Sequence, residues 1–397
     1  MLNRTSDINM EKLKKVLVIH KCMNKMLRIA IVVERFPPEI GGSGVRFYKI
    51  AECLSKRHLI DIFTLKPYNS NSSTLSSFNV YMFDLSFPLK GLNMERVACL
   101  SIMSFLRLLP RAYDVLDVDV WPLFPFFSSK LAKIDTPVIA SWNVVWPFSY
   151  NREISKVATA LAHLISKLST YNITVSQLAK FILMKYLRMK PERIAVVPNG
   201  IDDIFRKANL EPKWGRIVYV GRLEPQKRLD LLLRAFKMAK KQIKDLEFYI
   251  FGDGSLYKKI LGFSRKIEGL KVKRIGPQER DRLVNILRKS WLFISASEFE
   301  TYGLAIAEAS AVGLPVILTN APYNAACQEI IRHKHNGLIV PHNNPVSIAK
   351  AIKCLYMNPE FWKELSYNAK YSSNLLSWNE VSKRIEKIYV RIAEAQS

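Results

Sequence analysis

Short runs of Val, Ile and Leu alternate with longer amphipathic segments, and this alternation occurs twice along the chain. Near-continuous apolar runs of this length are typical of parallel strands that are buried on both faces. The first series of predicted strands is 27–33, 59–65, 79–84, 113–118, 137–141, 172–175 and 194–198. The second series is 216–221, 247–252, 272–276, 291–295, 315–319 and 337–340. Helical patterns lie between the strands, so the sequence predicts two α/β domains.

The length of 397 residues also favours two domains, because it exceeds one ordinary hydrophobic core. A polar connection divides the two series of strands, and a last amphipathic helix is expected to pack back on the first domain. Two such domains make a cleft, and open α/β sheets bind ligands at the carboxyl ends of their strands. The predicted segments are an extension (1–25), the first domain (26–200), the connection (201–215), the second domain (216–377) and the terminal helix (378–397).

The chain is strongly basic, with 60 Lys and Arg against 34 Asp and Glu. The excess divides evenly between the two halves, which suits an anionic ligand or a negative membrane surface as well as general solubility. A nucleic-acid-binding protein is a weak alternative, because the charge is not clustered and no known binding motif occurs. Five scattered cysteines indicate neither a disulfide framework nor a zinc site, so we expect a reducing, cytoplasmic location.

The stretch EFETYGLAIAEASAVGLPVI (298–317) carries carboxylates in a small, apolar setting. Glu308 falls on the apolar stripe of a predicted helix, so it needs a partner, and a vicinal diol can donate to both of its oxygens. Glu300 precedes that helix, and the amides near Gly303 and Leu304 can hold a phosphate. Diol, phosphate and a second hydroxylated group together describe a nucleotide sugar. The alternative is that Glu308 pairs with a core Lys or Arg and that Glu300 is solvated.

Two cations follow another predicted strand in GRLEPQKRLD (221–230). Arg222 comes directly after Gly221, and Lys227 stands at a predicted helix start. Such a pair at the carboxyl end of a strand can clamp a diphosphate, although a solvated basic loop is the alternative. A Gly-rich turn with Gly41 and Gly42 follows the first strand and would let backbone amides approach phosphate oxygens.

Taken together, these motifs resemble the retaining glycosyltransferases of family four over roughly residues 26–395. The resemblance implies a GT-B fold, with two Rossmann-like α/β domains facing across a cleft, and a nucleoside-diphosphate sugar as the donor. It implies no cofactor and no required metal. Arg222 and Lys227 would stabilise the leaving diphosphate, Glu300 would hold donor sugar hydroxyls, and Glu308 the ribose diol. The donor-binding residues that it implies are Gly41, Gly42, Gly221, Tyr302, Gly303, Leu304 and Glu308.

One departure from the family concerns the sugar side. Many relatives place a His where this chain has Asn143, and another where Asp117 and Asp119 stand. Asn143 could bind a sugar hydroxyl, or it could be a turn residue. Base recognition is expected near residues 274–276.

We therefore expect an enzyme that transfers a hexosyl group to a glycan, lipid-linked or polysaccharide acceptor. A sugar-nucleotide epimerase of the same architecture is the alternative. The first domain has an apolar, basic predicted helix at 94–109 and aromatic stretches at 121–127 and 144–150. These features fit either ordinary core packing or peripheral association with the inner face of a membrane.

Overall fold

The computed structural model describes residues 26–37, 42–66, 77–83, 93–145, 152–275, 279–372 and 376–395. The predicted extension 1–25 and the glycine at position 41 lie outside these ranges. The α/β fold class is confirmed, because the described residues form two large parallel sheets that are covered by helices.

The first domain is built on a parallel sheet of seven strands in the order β3-β2-β1-β4-β5-β6-β7. Parallel order requires a crossover between successive strands, and amphipathic helices supply most of these crossovers. The strands are β1 (Arg28–Val32), β2 (Leu59–Leu65), β3 (Asn79–Phe83), β4 (Val115–Asp119), β5 (Val138–Trp142), β6 (Tyr171–Thr174) and β7 (Ile194–Val196). The helices are α1 (Gly42–Leu54), α2 (Asn93–Leu108), α3 (Phe124–Ala132), α4 (Arg152–Leu168) and α5 (Gln177–Leu187).

Each face of this sheet has its own apolar core. Side chains of α2, α3, α4 and α5 pack with Val118 and Ala140 on one face. Side chains of α1 pack with Ile29 and Ile139 on the other face. Burial on both faces explains why the strands are nearly continuous Val, Ile and Leu runs.

The second domain is built on a parallel sheet of six strands in the order β10-β9-β8-β11-β13-β15, beside a two-stranded ribbon of β12 and β14. The connection to it holds the short helix α6 (Asp203–Arg206). The strands are β8 (Arg216–Val220), β9 (Glu247–Phe251), β10 (Leu270–Lys273), β11 (Leu292–Ser295), β12 (Phe299–Glu300), β13 (Val316–Thr319), β14 (Tyr323–Asn324) and β15 (Gly337–Val340). The helices are α7 (Leu229–Gln242), α8 (Tyr257–Ser264), α9 (Arg280–Arg288), α10 (Leu304–Val312), α11 (Ala326–Glu329), α12 (Pro345–Met357) and α13 (Pro359–Lys370).

The last helix, α14 (Trp378–Glu394), returns to the first domain. It begins with a capping box between Ser377 and Glu380, and its apolar side joins the core beneath α1. The hydroxyl of Tyr389 donates a hydrogen bond to the buried carboxylate of Asp117 at 2.5 Å. The chain therefore crosses between the domains at the connection and again before α14.

Three local features differ from the predicted pattern. The helix expected from Lys227 begins at Leu229, because a 3₁₀ turn over Pro225–Lys227 ends in Arg228 with a left-handed backbone (φ 47°). The tenth strand ends at Lys273, short of the predicted 276. The β12–β14 ribbon was not expected, since each of its strands has only two residues. Within the part of the chain that the structure describes, none of the helices has the length and apolar character that a membrane crossing requires.

Candidate active site

A cavity of about 350 Å³ lies between the two sheets. Gly42, Asp119 and Asn143 line it from the first domain, at or after the carboxyl ends of strands. The second domain contributes the loop after β8, β12 and the beginning of α10. Such a crevice at strand ends is the usual ligand site of open α/β sheets.

Two cations reach the cavity from the loop after β8. Arg222 is exposed at its rim, whereas Lys227 is buried. The hydroxyl of buried Tyr219 donates to the carbonyl of Arg222 at 3.0 Å and fixes the loop. Because Arg228 adopts the left-handed conformation, the chain turns between Lys227 and α7, so Lys227 ends a separate short turn.

The ammonium of Lys227 lies 2.5 Å from Oε1 of Glu300. Both side chains are largely shielded from water, so this contact is stronger than an exposed ion pair. A neighbouring pair joins Arg228 Nη1 to Glu298 Oε1 at 2.5 Å. Two acids of the same stretch thus have different environments. Glu300 lines the cavity, whereas Glu298 pairs with Arg228 at the turn before α7.

The beginning of α10 forms another wall of the cavity through Tyr302, Gly303 and Leu304. Gly303 precedes the helix with φ 92°, a conformation that favours glycine. A Cβ at this position would lie 2.9 Å from the Cβ of Ala326. The first amides of an α-helix have no partner within the helix, so this end can receive a phosphate.

Glu308 lies further along α10 and is buried beside Arg280. Arg280 Nη2 donates to Glu308 Oε1 at 2.7 Å and to Asp202 Oδ2 at 2.7 Å, and Lys49 of α1 lies 3.2 Å from Asp202 Oδ1. Burial raises the pKa of Glu308, and Arg280 opposes that shift. Pairing with a half-buried Arg is therefore the arrangement that the structure shows, while the ribose role of Glu308 stays a prediction.

On the first-domain side, Asn143 Nδ2 donates to Asp119 Oδ1 at 3.2 Å. Burial raises the pKa of Asp119 to about 7, against hydrogen bonds from Asn143 and Ser43. Asp117 is buried deeper, next to Tyr389, and burial raises its pKa to about 6. Asp119 was not among the predicted site residues. Its signal was an acid directly after the predicted strand 113–118.

The structure brings most of the predicted site residues to one cavity. The lining includes Gly42, Asn143, Gly221, Arg222, Lys227, Glu300, Tyr302, Gly303 and Leu304. Gly41 lies outside the described residues, and Glu308 is paired with Arg280 behind the helix start. Arg274, from the predicted base-recognition segment, pairs with Asp253 and stacks over Tyr257. Across the described ranges, no group of three or more His, Cys, Asp or Glu side chains could hold a metal ion, and the expectation of metal independence stays a prediction.

Two family models match successive parts of the chain. Residues 40–204 match glycosyltransferase family 4, and residues 200–372 match the glycosyl transferases of group 1. Together they span both domains and meet at the connection.

Three relatives illustrate the similarity. An uncharacterized glycosyltransferase of Methanocaldococcus jannaschii is 30% identical over 51% of this chain and 55% of its own length. A second one from that organism is 26% identical over 91% of this chain and 98% of its own length. The UDP-Gal:alpha-D-GlcNAc-diphosphoundecaprenol alpha-1,3-galactosyltransferase of Escherichia coli is 26% identical over 66% of this chain and 70% of its own. The chain thus spans about half the length of the first relative and nearly all of the second.

A solved structure of Anabaena Alr3699/HepE in complex with UDP and glucose superimposes with a TM-score of 0.71 at 17% identity. The match covers 91% of this chain and 99% of that chain. Two Rossmann-like domains around one cleft, with cations and a helix start at the strand ends, are the GT-B fold, and the family matches identify the class as glycosyltransferase. With both domain models matched, the chain belongs to the family-four glycosyltransferases.

Proposed function

We propose that this enzyme transfers a sugar from a nucleoside-diphosphate sugar to a hydroxyl of a glycan, lipid-linked or polysaccharide acceptor, with retention of configuration. One observation carries the proposal. Arg222, Lys227, Glu300 and the amino end of α10 line a single cavity between the domains. This set combines cations for a diphosphate with a carboxylate for sugar hydroxyls.

The chemistry follows from where charge develops. Breaking the bond between the sugar and the diphosphate places negative charge on the departing oxygen. Preorganised cations and helix amides stabilise that charge, and losing one such donor typically costs about 10²–10³ in rate. Lys227 is the strongest candidate, because it is buried and already held within the cavity. Neither a protein acid nor a metal ion is required for such a leaving group in this proposal.

Donor binding would replace the contact between Lys227 and Glu300 with one contact from each residue to the donor. In the described arrangement the ammonium of Lys227 is paired with Glu300. A bound donor would offer phosphate oxygens to Lys227 and sugar hydroxyls to Glu300, so the ion pair holds both groups near their binding positions. Asn143 and Asp119 close the opposite side and would contact the sugar or the incoming hydroxyl.

The experiment is a screen of nucleoside diphosphates and nucleotide sugars by thermal shift, followed by turnover assays with candidate acceptors. A donor at about 100 times its Kd should add ~2.7 kcal/mol to the free energy of unfolding. The anomeric configuration of the product, read by NMR, tests retention, and activity in EDTA tests metal independence. Conversion of the sugar nucleotide without an acceptor would instead identify an epimerase. The absence of any nucleotide effect would overturn the proposal.

We also propose a cytoplasmic enzyme that associates peripherally with anionic membranes. The helices α2, α3 and α4 cover one face of the first sheet, and their outward sides carry exposed apolar residues. Exposed cations lie among these residues, so the surface complements anionic lipid headgroups. The apolar residues are Ile102, Leu106, Leu131, Val157 and Leu164, and the cations are Arg107, Lys156 and Lys167.

Flotation with vesicles of anionic or zwitterionic phospholipid tests this surface. We expect binding to anionic vesicles at low salt, and weaker binding in the double variant Ile102→Ser/Leu106→Ser. Met357→Ser is the matched control, since Met357 is equally exposed on α12 of the second domain. Wild-type protein that stays unbound, or a control that loses binding as much as the double variant, would exclude this membrane surface.

A further inference from the structure

A carboxylate of the second domain caps a helix of the first domain. The side-chain oxygens of Glu329, the last residue of α11, accept hydrogen bonds from the backbone amides of Gln177 and Leu178, each at 3.0 Å. These are the first residues of α5, where Ser176 already accepts from the amide of Ala179 at 3.1 Å. A carboxylate at the amino end of a helix satisfies unpaired amides and complements the helix dipole.

A second contact between the domains lies on the same segment. The hydroxyl of Tyr323 is 3.4 Å from the hydroxyl of Tyr186, near the end of α5. The ring of Tyr323 also packs against the apolar core of the first domain. Residues 323–329 of the second domain therefore meet α5 at both its beginning and its end.

This segment also fixes the backbone of Glu300. Strand β14 pairs with β12, and the amide of Ala325 donates to the carbonyl of Glu300 at 2.9 Å. Asn324 holds the ribbon in place, since its Nδ2 donates to the carbonyl of Ser297 at 3.2 Å. Its Oδ1 accepts from the amide of Ala326 at 3.1 Å. A shift of the segment would thus move the cavity-facing acid.

The start of α10, which is the proposed phosphate-binding part of the cavity, contacts the same segment. A Cβ added to Gly303 would come within 2.9 Å of the Cβ of Ala326, so the start of α10 rests closely on α11. The segment thus touches α5, the backbone of Glu300 and the amino end of α10.

We propose that Glu329 is a positioning residue: by capping α5 it holds the two domains closed and sets Glu300 and the start of α10 against the first-domain side of the cavity. The inference rests on the proposed transfer reaction and adds a device that links closure to that reaction. Glu329 is not among the residues that line the cavity, so it would act through residues 323–326. Closure of this kind completes a catalytic site and excludes water in many enzymes.

The placement of the cavity residues predicts which kinetic constant depends on the cap. Arg222, Lys227 and α10, which would bind the diphosphate, all belong to the second domain, so most of the donor's binding contacts would survive opening. Turnover requires the first-domain side with Asn143 and Asp119. Opening the domains should therefore lower kcat and leave the donor KM nearly unchanged. Coupling free energies between sites typically correspond to factors of about 5–150, and we expect about tenfold.

The test compares Glu329→Ala and Glu329→Gln with the wild-type enzyme. The control is Glu360→Gln, which removes a highly exposed carboxylate of α13 that is paired only locally with Lys363. Glu329→Ala should lower kcat about tenfold with the donor KM within twofold, and Glu329→Gln should fall between, because its amide keeps one acceptor oxygen. Hydrogen exchange of the peptide 177–187 should accelerate in the Ala variant. The control should match the wild type in each measurement.

Two readouts separate this proposal from the transfer reaction. X-ray scattering in saturating UDP, and in GDP and ADP in parallel, measures domain opening without turnover, and the Ala variant should have the larger radius of gyration. Faster exchange at α5 with unchanged kcat and unchanged scattering would overturn the positioning role. A loss of kcat without faster exchange at α5 would also overturn it, because the cap would then not be the cause. If the wild type transfers no sugar, the proposed function fails, while scattering and exchange still decide whether Glu329 closes the domains.

Discussion

The ammonium of Lys227 and the carboxylate of Glu300 meet at 2.5 Å in the lining of the cavity, although 73 positions separate them in the chain. The turn after β8 supplies one partner, and the ribbon strand β12 supplies the other. In the proposed reaction a bound donor would replace this contact: its diphosphate would pair with Lys227, and its sugar hydroxyls would bind Glu300. Because both side chains are largely shielded from water, the two charges interact more strongly than an exposed surface pair would.

This pair predicts a marked asymmetry between binding and turnover. Lys227→Ala should reduce kcat by about 10²–10³, because it removes a cation that opposes the charge developing on the diphosphate. Nucleotide affinity should change much less. Steady-state kinetics and calorimetric titration measure the two effects. Lys237→Ala, on an exposed part of α7, is the control. Equal kcat in both variants would remove Lys227 from the catalytic role.

The contact between Arg280 and Glu308 predicts an effect on stability. Arg280→Met leaves Glu308 buried without its cation and Asp202 with one fewer partner. Removing one partner of a buried ion pair typically lowers the free energy of unfolding by about 3–5 kcal/mol. Burial already raises the pKa of Glu308, and removing Arg280 raises it further. The variant should therefore come nearest to the wild type in stability at the acid end of the pH range, where Glu308 stays protonated, and should lose stability relative to the wild type as the pH rises and Glu308 ionises.

Thermal melts of the Arg280→Met variant and the wild type from pH 5 to 8 measure this difference. Arg282→Met, whose side chain is exposed on the same helix, is the matched control. A constant difference in melting temperature over that range would show that Glu308 does not titrate as expected.

The buried carboxyl of Asp119 predicts a second way in which the stability of the protein depends on pH. Its pKa is raised by burial to about 7 in the folded protein, well above the ordinary value of about 3.9 for an unfolded chain. Between these values the folded state binds more protons, so stability is present at low pH and is lost as the pH rises towards 7. Asp119→Asn should flatten this part of the profile, with Asp117 contributing the remainder. Melting temperatures from pH 4.5 to 7.5 provide the test, and parallel curves for both proteins would refute it.

A side chain at position 303 is expected to lower the free energy of unfolding through both backbone strain and a steric clash. An Ala side chain there must adopt φ near 92° and meet Ala326, so Gly303→Ala should cost about 1–3 kcal/mol and weaken nucleotide binding. Gly262→Ala is the matched control, since a Cβ at that helical position meets open space. The control should gain about 0.5–1 kcal/mol. Similar effects of the two substitutions would contradict the tight packing of α11 on α10.

Glu308 illustrates how far sequence reasoning could go. Its place on an apolar helical stripe predicted that it needs a partner, because helix periodicity is a local property. The identity of that partner could not be predicted, since Arg280 lies on another helix. The same applies to Lys227. A cation near a strand end was predictable, but the left-handed Arg228 that separates it from α7 was not.

Other features carry almost no sequence signal. Strands β12 and β14 have two residues each, too few for a period-two pattern. The cap of α5 by Glu329 joins segments more than 150 positions apart, and an isolated acid in a loop-rich stretch predicts no such contact.

The sequence by itself determined two parallel sheets, the order of their strands' carboxyl ends along the chain, and the types of group that follow those ends. These depend on short-range patterns of apolar residues, and parallel strands bring all their carboxyl ends to one edge of each sheet. Only the tertiary structure decided which charges pair, which acid faces the cavity and how the two domains are joined. Those outcomes depend on distances between segments that are remote in the chain, and burial then fixes how strongly the charges interact.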